Sequence, residues 1–204
     1  MKLCKSNVKL LIAGCVAAIL LSGCATAPAP VNSEGATAVT TTLTATESKN
    51  YKKAMESIQK GQPEKAVAGL KKLTSANPGH TGLWVNLAVA CYKAGDVKQA
   101  TEAMTQATTL NDKVPELNNL AGLIAVDQGQ YALAKKDYLQ AITLNKNYAD
   151  AHYNLALLYD IFYQDIAKAL VHYERYLSLI DDEDPATKSW TDELKRTLKS
   201  RDGR

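Results

Sequence analysis

The chain is poor in the residues that carry most side-chain chemistry. Its 204 residues include three histidines, His80, His152 and His172, and none has a second ligand at metal-site spacing within one helix. Of four cysteines, Cys4 and Cys15 fall in a segment that reads as a removable leader and Cys24 lies at its end, which leaves Cys91 as the thiol of the folded part. A disulfide framework is therefore excluded, apart from a bridge between two chains through Cys91. Cys91 sits among small and apolar residues and reads as a small hydrophobe rather than an activated thiolate. No glycine-rich phosphate loop and no serine elbow occurs, and Asp181-Asp182-Glu183-Asp184 reads as a solvated run before a helix, not as a calcium loop. No motif singles out a catalytic pair, so the chain reads as a non-enzyme without cofactor or metal.

Net charge is scarce as well. The chain has 24 basic and 21 acidic side chains, and its first 23 residues hold three lysines and no acid, so the remainder balances at 21 against 21. That balance removes the electrostatic argument for a nucleic-acid partner or an anionic membrane surface.

The leader itself is informative. Lys2, Lys5 and Lys9 make a basic start, and the apolar run Leu10 to Leu21 is too short for a permanent membrane span but suits a secretory signal. Leu21-Ser22-Gly23-Cys24 resembles the bacterial lipobox. The resemblance implies a signal peptide over residues 1–23, cleavage before Cys24 and lipidation of the Cys24 thiol, which anchors the protein to a membrane of the cell envelope. Ala25, rather than Asp, follows the cysteine. In Gram-negative lipoproteins that residue implies transfer to the outer membrane, facing the periplasm. Residues 24–48 are rich in Thr, Ala and Pro and low in large apolar residues, so they read as a flexible tether. Fully extended, such a tether reaches at most about 80 Å at ~3.3–3.6 Å per residue.

Beyond the tether a period governs the chain. Gly61, Gly95 and Gly129 follow one another at intervals of 34 residues, with Tyr163 at the next equivalent position. Small residues recur in step at Ala54, Ala88, Gly122 and Ala156 and again at Ala66, Ala100 and Ala134, followed by Leu70, Met104 and Tyr138. Such an interval marks an array of helix-turn-helix units. In the second unit Trp84, Leu87, Ala88 and Cys91 lay an apolar stripe on one helical face, Gly95 ends the helix, and Ala100, Met104 and Ala107 begin a second stripe. The small columns fall where the helices approach most closely.

With its Trp84, Leu87, Ala88, Tyr92, Gly95, Ala100 and Ala107, this unit resembles the tetratricopeptide repeat. The resemblance implies an all-α fold: a right-handed superhelical array of about four repeats. The units would cover residues 47–80, 81–114, 115–148 and 149–183 (the repeat region being 49–183), with a capping helix over 184–200. The expected function is that of a binding scaffold. In this family the first helix of each repeat lines a groove, which places Tyr51, Met55 and Ile58, then Val85, Val89 and Tyr92, then Asn119, Leu123 and Val126, then Tyr153, Leu157 and Asp160 along it. Tyr51, Met55, Val89, Tyr92, Asn119, Leu123, Tyr153 and Asp160 are the candidate contacts for a protein or peptide client, with Tyr51, Tyr92, Leu123 and Tyr153 as its anchors. The alternative for several of them, Val85 and Leu157 above all, is contact with the neighbouring repeat. A clamp for a peptide carboxylate is not expected, because Asn86, Asn119 and Asn154 are present but Lys93 is the lone cation among them. Asp127, Asp150 and Asp160 suit an apolar or mildly basic segment. An envelope adaptor that holds a client near the membrane is the expected role; a pilotin-type assembly factor, able to self-associate, is the alternative.

Two regions depart from the pattern. In the fourth repeat Tyr163 replaces the turn glycine and Ala169 and Tyr173 fall one residue late, so an extra residue is expected in that turn. Ile161-Phe162-Tyr163 is then either a distorted turn packed on the next helix or an exposed apolar patch. His152 stands where Trp84 stands in its repeat, which points to packing. At the end, Asp184 precedes Pro185 as a helix cap, and Ala186, Trp190, Leu194 and Thr197 or Leu198 form the stripe expected to lie on the last repeat.

Overall fold

A computed structural model describes residues 42–202. The leader, Cys24 and the tether up to residue 41 lie outside the described residues.

The described residues are helical and contain no strand. Four antiparallel pairs follow one another: α1 (Ala45–Gln59) with α2 (Pro63–Ala76), α3 (Thr81–Lys93) with α4 (Val97–Leu110), α5 (Pro115–Asp127) with α6 (Tyr131–Leu144), and α7 (Ala149–Leu157) with α8 (Ile166–Leu179). A last helix, α9 (Pro185–Asp202), packs on α8. No described helix is long and apolar enough to cross a membrane.

The first helix starts inside the segment read as tether. Thr44 is its N-cap: the Thr44 hydroxyl accepts from Glu47 N at 3.2 Å, and the Glu47 carboxylate accepts from Thr44 N at 2.9 Å. Glu47 also accepts from Asn77 Nδ2 at 2.7 Å, tying the start of α1 to the end of α2. These bonds to the charged form, with that from Asn77 foremost, hold the Glu47 carboxyl below its usual range. A composition reading saw the threonines as tether and missed that one of them opens a capping box.

Each pair turns on a residue in the left-handed conformation. Gly61, Gly95 and Gly129 have φ of +66°, +79° and +73°, a region glycine enters without steric cost. Behind each, a backbone N–H reaches the carbonyl five residues back: Gln62 to Ser57, Asp96 to Cys91 and Gln130 to Ala125. The fourth turn differs from expectation. The extra residue is not in the turn but in a π-helical segment, Leu158–Tyr163, that continues α7. The left-handed residue is Gln164, at φ +53°, and the closing bond, Asp165 N to Tyr159 O, spans six residues. Tyr163 therefore does not substitute for the missing glycine; Gln164 does, one position later.

The small columns are the closest-packed positions. Ala66, Ala88, Ala100, Ala134, Ala156 and Ala169 are all fully buried. The core passes through them as a succession of clusters, from Leu70, Leu83 and Cys91 in the first two repeats to Leu170, Tyr173 and Leu194 at the last. Cys91 is buried, and that burial pushes its thiol up.

The segment before α8 packs in two directions. Phe162 stacks on Tyr131 of the preceding repeat, with ring centroids 4.1 Å apart, while Ile161 and Tyr163 remain exposed. The π-helical segment also packs on the following helix, α8, as expected, and Phe162 adds a backward contact onto α6.

The terminal helix packs through the second half of the expected stripe, Leu194 and Leu198, but not through its first half. Asp184 caps it, accepting from Thr187 N at 3.0 Å, but the residues turned to α8 are Thr187, Thr191 and Leu194, while Ala186 and Trp190 are exposed.

Candidate protein-binding face

The first helices of successive repeats lie side by side, and polar side chains join them at intervals of 35 residues. Asn86 Nδ2 donates to Tyr51 OH at 3.0 Å, linking α1 and α3. Tyr92 OH donates to Asp127 Oδ2 at 2.9 Å, linking α3 and α5. Asn154 Nδ2 donates to Asn119 Oδ1 at 2.9 Å, linking α5 and α7. Asn86 and Asn119 are buried, so these bonds satisfy groups whose burial without a partner would be costly. The interval follows from the geometry: one repeat of 34 residues moves the chain to the equivalent place on the next first helix, and one residue more turns the side chain toward its neighbour.

All eight candidate contacts fall on this set of first helices or the π-helical continuation of α7, but their environments divide them. Met55, Val89 and Leu123 are half-buried and pack against the core of the first two repeats, each with part of its surface free. Tyr51, Tyr92 and Asn119 are members of the lateral ladder, so the two tyrosines expected as client anchors are also held by contact with the neighbouring repeat. Burial pushes the Tyr51 hydroxyl up, and burial followed by the Asp127 carboxylate pushes up that of Tyr92. Tyr153 leans on Tyr176 and Tyr173 of α8, with centroid separations of 4.9 and 6.1 Å. Val85, at 2% exposure, is a core residue under α4 and α5. Leu157 is half-buried against the last cluster.

Asp160 gathers the far end. Its Oδ2 accepts from Trp190 Nε1 at 2.7 Å and from Tyr173 OH at 3.3 Å. Trp190, assigned from the sequence to the buried stripe, is an exposed neighbour of Asp160 that the hydropathy pattern concealed. Glu116 was also missed: it precedes Asn119 by one helical turn on α5, its carboxyl is pushed up by burial and then by Asp150, and its Oε2 is buried without a hydrogen-bond partner. The recurrence of acids at residues 116 and 150, one repeat apart, is the signal that could have found it. Among the described residues no group of three or more His, Cys, Asp or Glu is placed to hold a metal ion. The face offers apolar surface, aromatic rings and carboxylates, the chemistry of a protein contact.

The pattern described as tetratricopeptide repeat matches residues 57–124, and a second, described as TPR repeat, matches residues 122–160. The helix pairs of this chain are tetratricopeptide repeats. Tetratricopeptide repeats mediate protein–protein interaction, and their scaffold is typical of non-enzymatic interaction proteins. Among solved structures the fold is similar to that of a Pseudomonas aeruginosa pilF protein, with a TM-score of 0.62 and 21% identity over 76% of this chain and 69% of that one. The thermophilic tetratricopeptide protein TTC0263 of Thermus thermophilus is similar too, with a TM-score of 0.61 and 21% identity over 72% of this chain and 80% of that one. The first tetratricopeptide domain of Spaghetti (RPAP3), solved with the HSP90 peptide SRMEEVD, matches with a TM-score of 0.50 and 19% identity over 58% of this chain and 92% of that one. A curated relative, the uncharacterized protein ycf37 of Pyropia yezoensis, is 38% identical over 69 residues, which take in 34% of this chain and 38% of that protein. The likeness to the solved structures is one of fold, and the match to ycf37 spans well under half of that protein.

Proposed function

We propose that this protein is a lipid-anchored adaptor of the bacterial envelope, whose tetratricopeptide repeats hold a protein client through the face of their first helices. The observation that carries the binding reading is the ladder Tyr51–Asn86, Tyr92–Asp127 and Asn119–Asn154. It joins four first helices into one surface on which Met55, Val89 and Leu123 keep part of their apolar area free. A preformed surface loses little side-chain entropy when a partner arrives, which favours affinity. Support for the anchor comes from the basic start, the apolar run and Leu21-Ser22-Gly23-Cys24. Lipidation of Cys24 puts the repeats at a membrane, and Ala25 favours the outer membrane of a two-membrane envelope, with the repeats in the periplasm. The tetratricopeptide domain of Spaghetti, solved with a bound peptide, is a precedent for recognition by this fold.

Two measurements test the reading. Wild-type protein fractionates with membranes and carries acyl groups on Cys24 by mass spectrometry, whereas Cys24→Ala is released or mislocalised; a mature protein that starts elsewhere without acyl groups removes the anchor. Pull-down of the intact protein from its own envelope, against a control comprising residues 24–43, then identifies the client. Loss of that client in Leu123→Ala supports the first-helix face, and retention by the tether control removes it. A pilus or secretion subunit as client moves the role from adaptor to pilotin-type assembly factor.

A further inference from the structure

The row of first helices continues beyond the fourth repeat. Asp127 and Asp160 each accept a bond that joins neighbouring elements: Tyr92 joins α3 to α5 through Asp127, and Trp190 joins α9 to the continuation of α7 through Asp160. Helix α9 packs on α8 as α3 packs on α2 and α7 on α6, the place of a fifth repeat's first helix, and it carries the face onward.

What α9 buries and what it leaves out is unusual for a helix that only covers a core. It turns two threonines, Thr187 and Thr191, inward with Leu194, and leaves Trp190 at 47% exposure. The indole is nonetheless held, because its Nε1 donates to Asp160, whose position Tyr173 OH supports through the same carboxylate oxygen. A large ring, half in solvent and fixed by a charge-assisted bond, is an anchor with little entropy left to lose. The negative ring face attracts cations, and Asp160 beside it supplies a full negative charge.

Four cations of the last two helices are paired with acids. Lys188 pairs with Asp182 at 2.7 Å, Lys195 with Glu174 at 2.9 Å, Arg196 with Glu193 at 2.6 Å and Lys168 with Asp165 at 2.5 Å. Along the same face Asp127, Asp150 and Asp160 stand against Lys93. The surface leading to Trp190 is therefore acidic.

We propose that Trp190 and Asp160 form a binding subsite for an arginine or lysine side chain of the client, supplied jointly by the terminal helix and the fourth repeat. The proposal rests on the first-helix face being the binding face. It makes α9 a wall of the groove as well as the cap of the core, and the occupant a basic segment of a protein.

The test uses the full-length protein in detergent and a random dodecapeptide library displayed on phage. Peptides selected on the wild type are enriched in Arg or Lys. The tightest is synthesised, and its affinity is measured against Trp190→Phe, Trp190→Ala, Asp160→Asn and Tyr92→Ala, each checked by circular dichroism and melting. Trp190→Ala and Asp160→Asn weaken binding about tenfold, a cation–π and charge contact removed, while Trp190→Phe, which keeps a ring, loses less than Trp190→Ala. In a Trp84→Phe background Trp190 is the remaining tryptophan, and its emission changes on binding. Loss of affinity in Tyr92→Ala with none in Trp190→Ala or Asp160→Asn overturns the subsite and leaves the face intact. Selected peptides without basic enrichment also overturn the subsite. Affinity unchanged in all four variants, or no selectable peptide, overturns the face and the subsite together.

Discussion

Tyr138 occupies the space that Gly122 leaves open. A methyl group built on Gly122 would stand 2.6 Å from Tyr138 Cδ1, well inside contact distance, and Tyr138 is 1% exposed. The third repeat has thus exchanged the small-and-medium pair of the two repeats before it, Ala54 with Leu70 and Ala88 with Met104, for the smallest residue facing a large one. The helices stay close because volume is conserved across the contact.

Gly122→Ala is therefore expected to destabilise the protein by ~1–3 kcal/mol from overpacking, even though alanine is the better helix former by about 0.5–1 kcal/mol. In a Tyr138→Leu background the same change should become neutral or favourable. Urea denaturation of the four proteins of this cycle reads the coupling, and simple additivity of the two changes would show that the contact is not what selects Gly122.

Gln164 has φ +53° where the other turns have glycine. Gln164→Gly should raise stability by about 0.5–1 kcal/mol by relieving that conformation, whereas Gly129→Gln at φ +73° should lower it by at least as much. Opposite shifts in melting temperature for the two variants are the expected result. A loss in Gln164→Gly would mean that its side chain, rather than its backbone, matters there.

His152 and His172 meet with their Nδ1 atoms 3.1 Å apart. His152 Nε2 lies 3.2 Å from the Lys146 carbonyl, which can only accept, so Nε2 carries the proton and Nδ1 of His152 receives one from His172. Burial lowers both rings below their ordinary value, aided at His152 by Arg175 and at His172 by His152, which brings His172 to about 4. Lys146 and Arg175 are the neighbouring cations and Glu174, engaged by Lys195, the neighbouring acid; Tyr159 stacks on His172. With folded pKa values below unfolded ones, the unfolded chain binds more protons as pH falls. The stabilisation is complete above about 6.5 and is lost on acidification toward about 4, the value for His172. After discounting for the partial exposure of His172, the loss is on the order of 1–2 kcal/mol. Melting temperature followed from pH 7.5 downward should fall more steeply in wild type than in His172→Phe, and equal slopes would remove the pair as the cause.

Ala100 and Ala134 are fully buried between paired helices. Replacing either with leucine should cost ~1–3 kcal/mol, while Lys98→Leu on the exposed side of α4 should stay within about 0.5 kcal/mol. Chemical denaturation separates the outcomes, and tolerance of leucine at both alanines would contradict the close approach of the helices.

The repeat fold is legible in the sequence because its signals are local. A glycine that accepts a left-handed turn, an apolar stripe at helical spacing and a small residue where helices cross each act within a few residues, and the interval of 34 then repeats them. The sequence also put the candidate contacts on the first helices. What it did not reveal were the partners of those contacts, since Tyr51 and Asn86 are 35 residues apart and meet only when two repeats stack. The tertiary structure alone decided the orientation of α9. Hydropathy would bury Trp190, but a buried indole N–H needs an acceptor, and the structure supplies one at the exposed rim in Asp160. Thr187 and Thr191 go inward instead because their hydroxyls are satisfied locally, Thr187 by Asp184 and Thr191 by the Thr187 carbonyl, both at 2.7 Å. Burying them leaves no hydrogen bond unmade, and that is why the polar residues lie on the core while the tryptophan stays exposed beside Asp160.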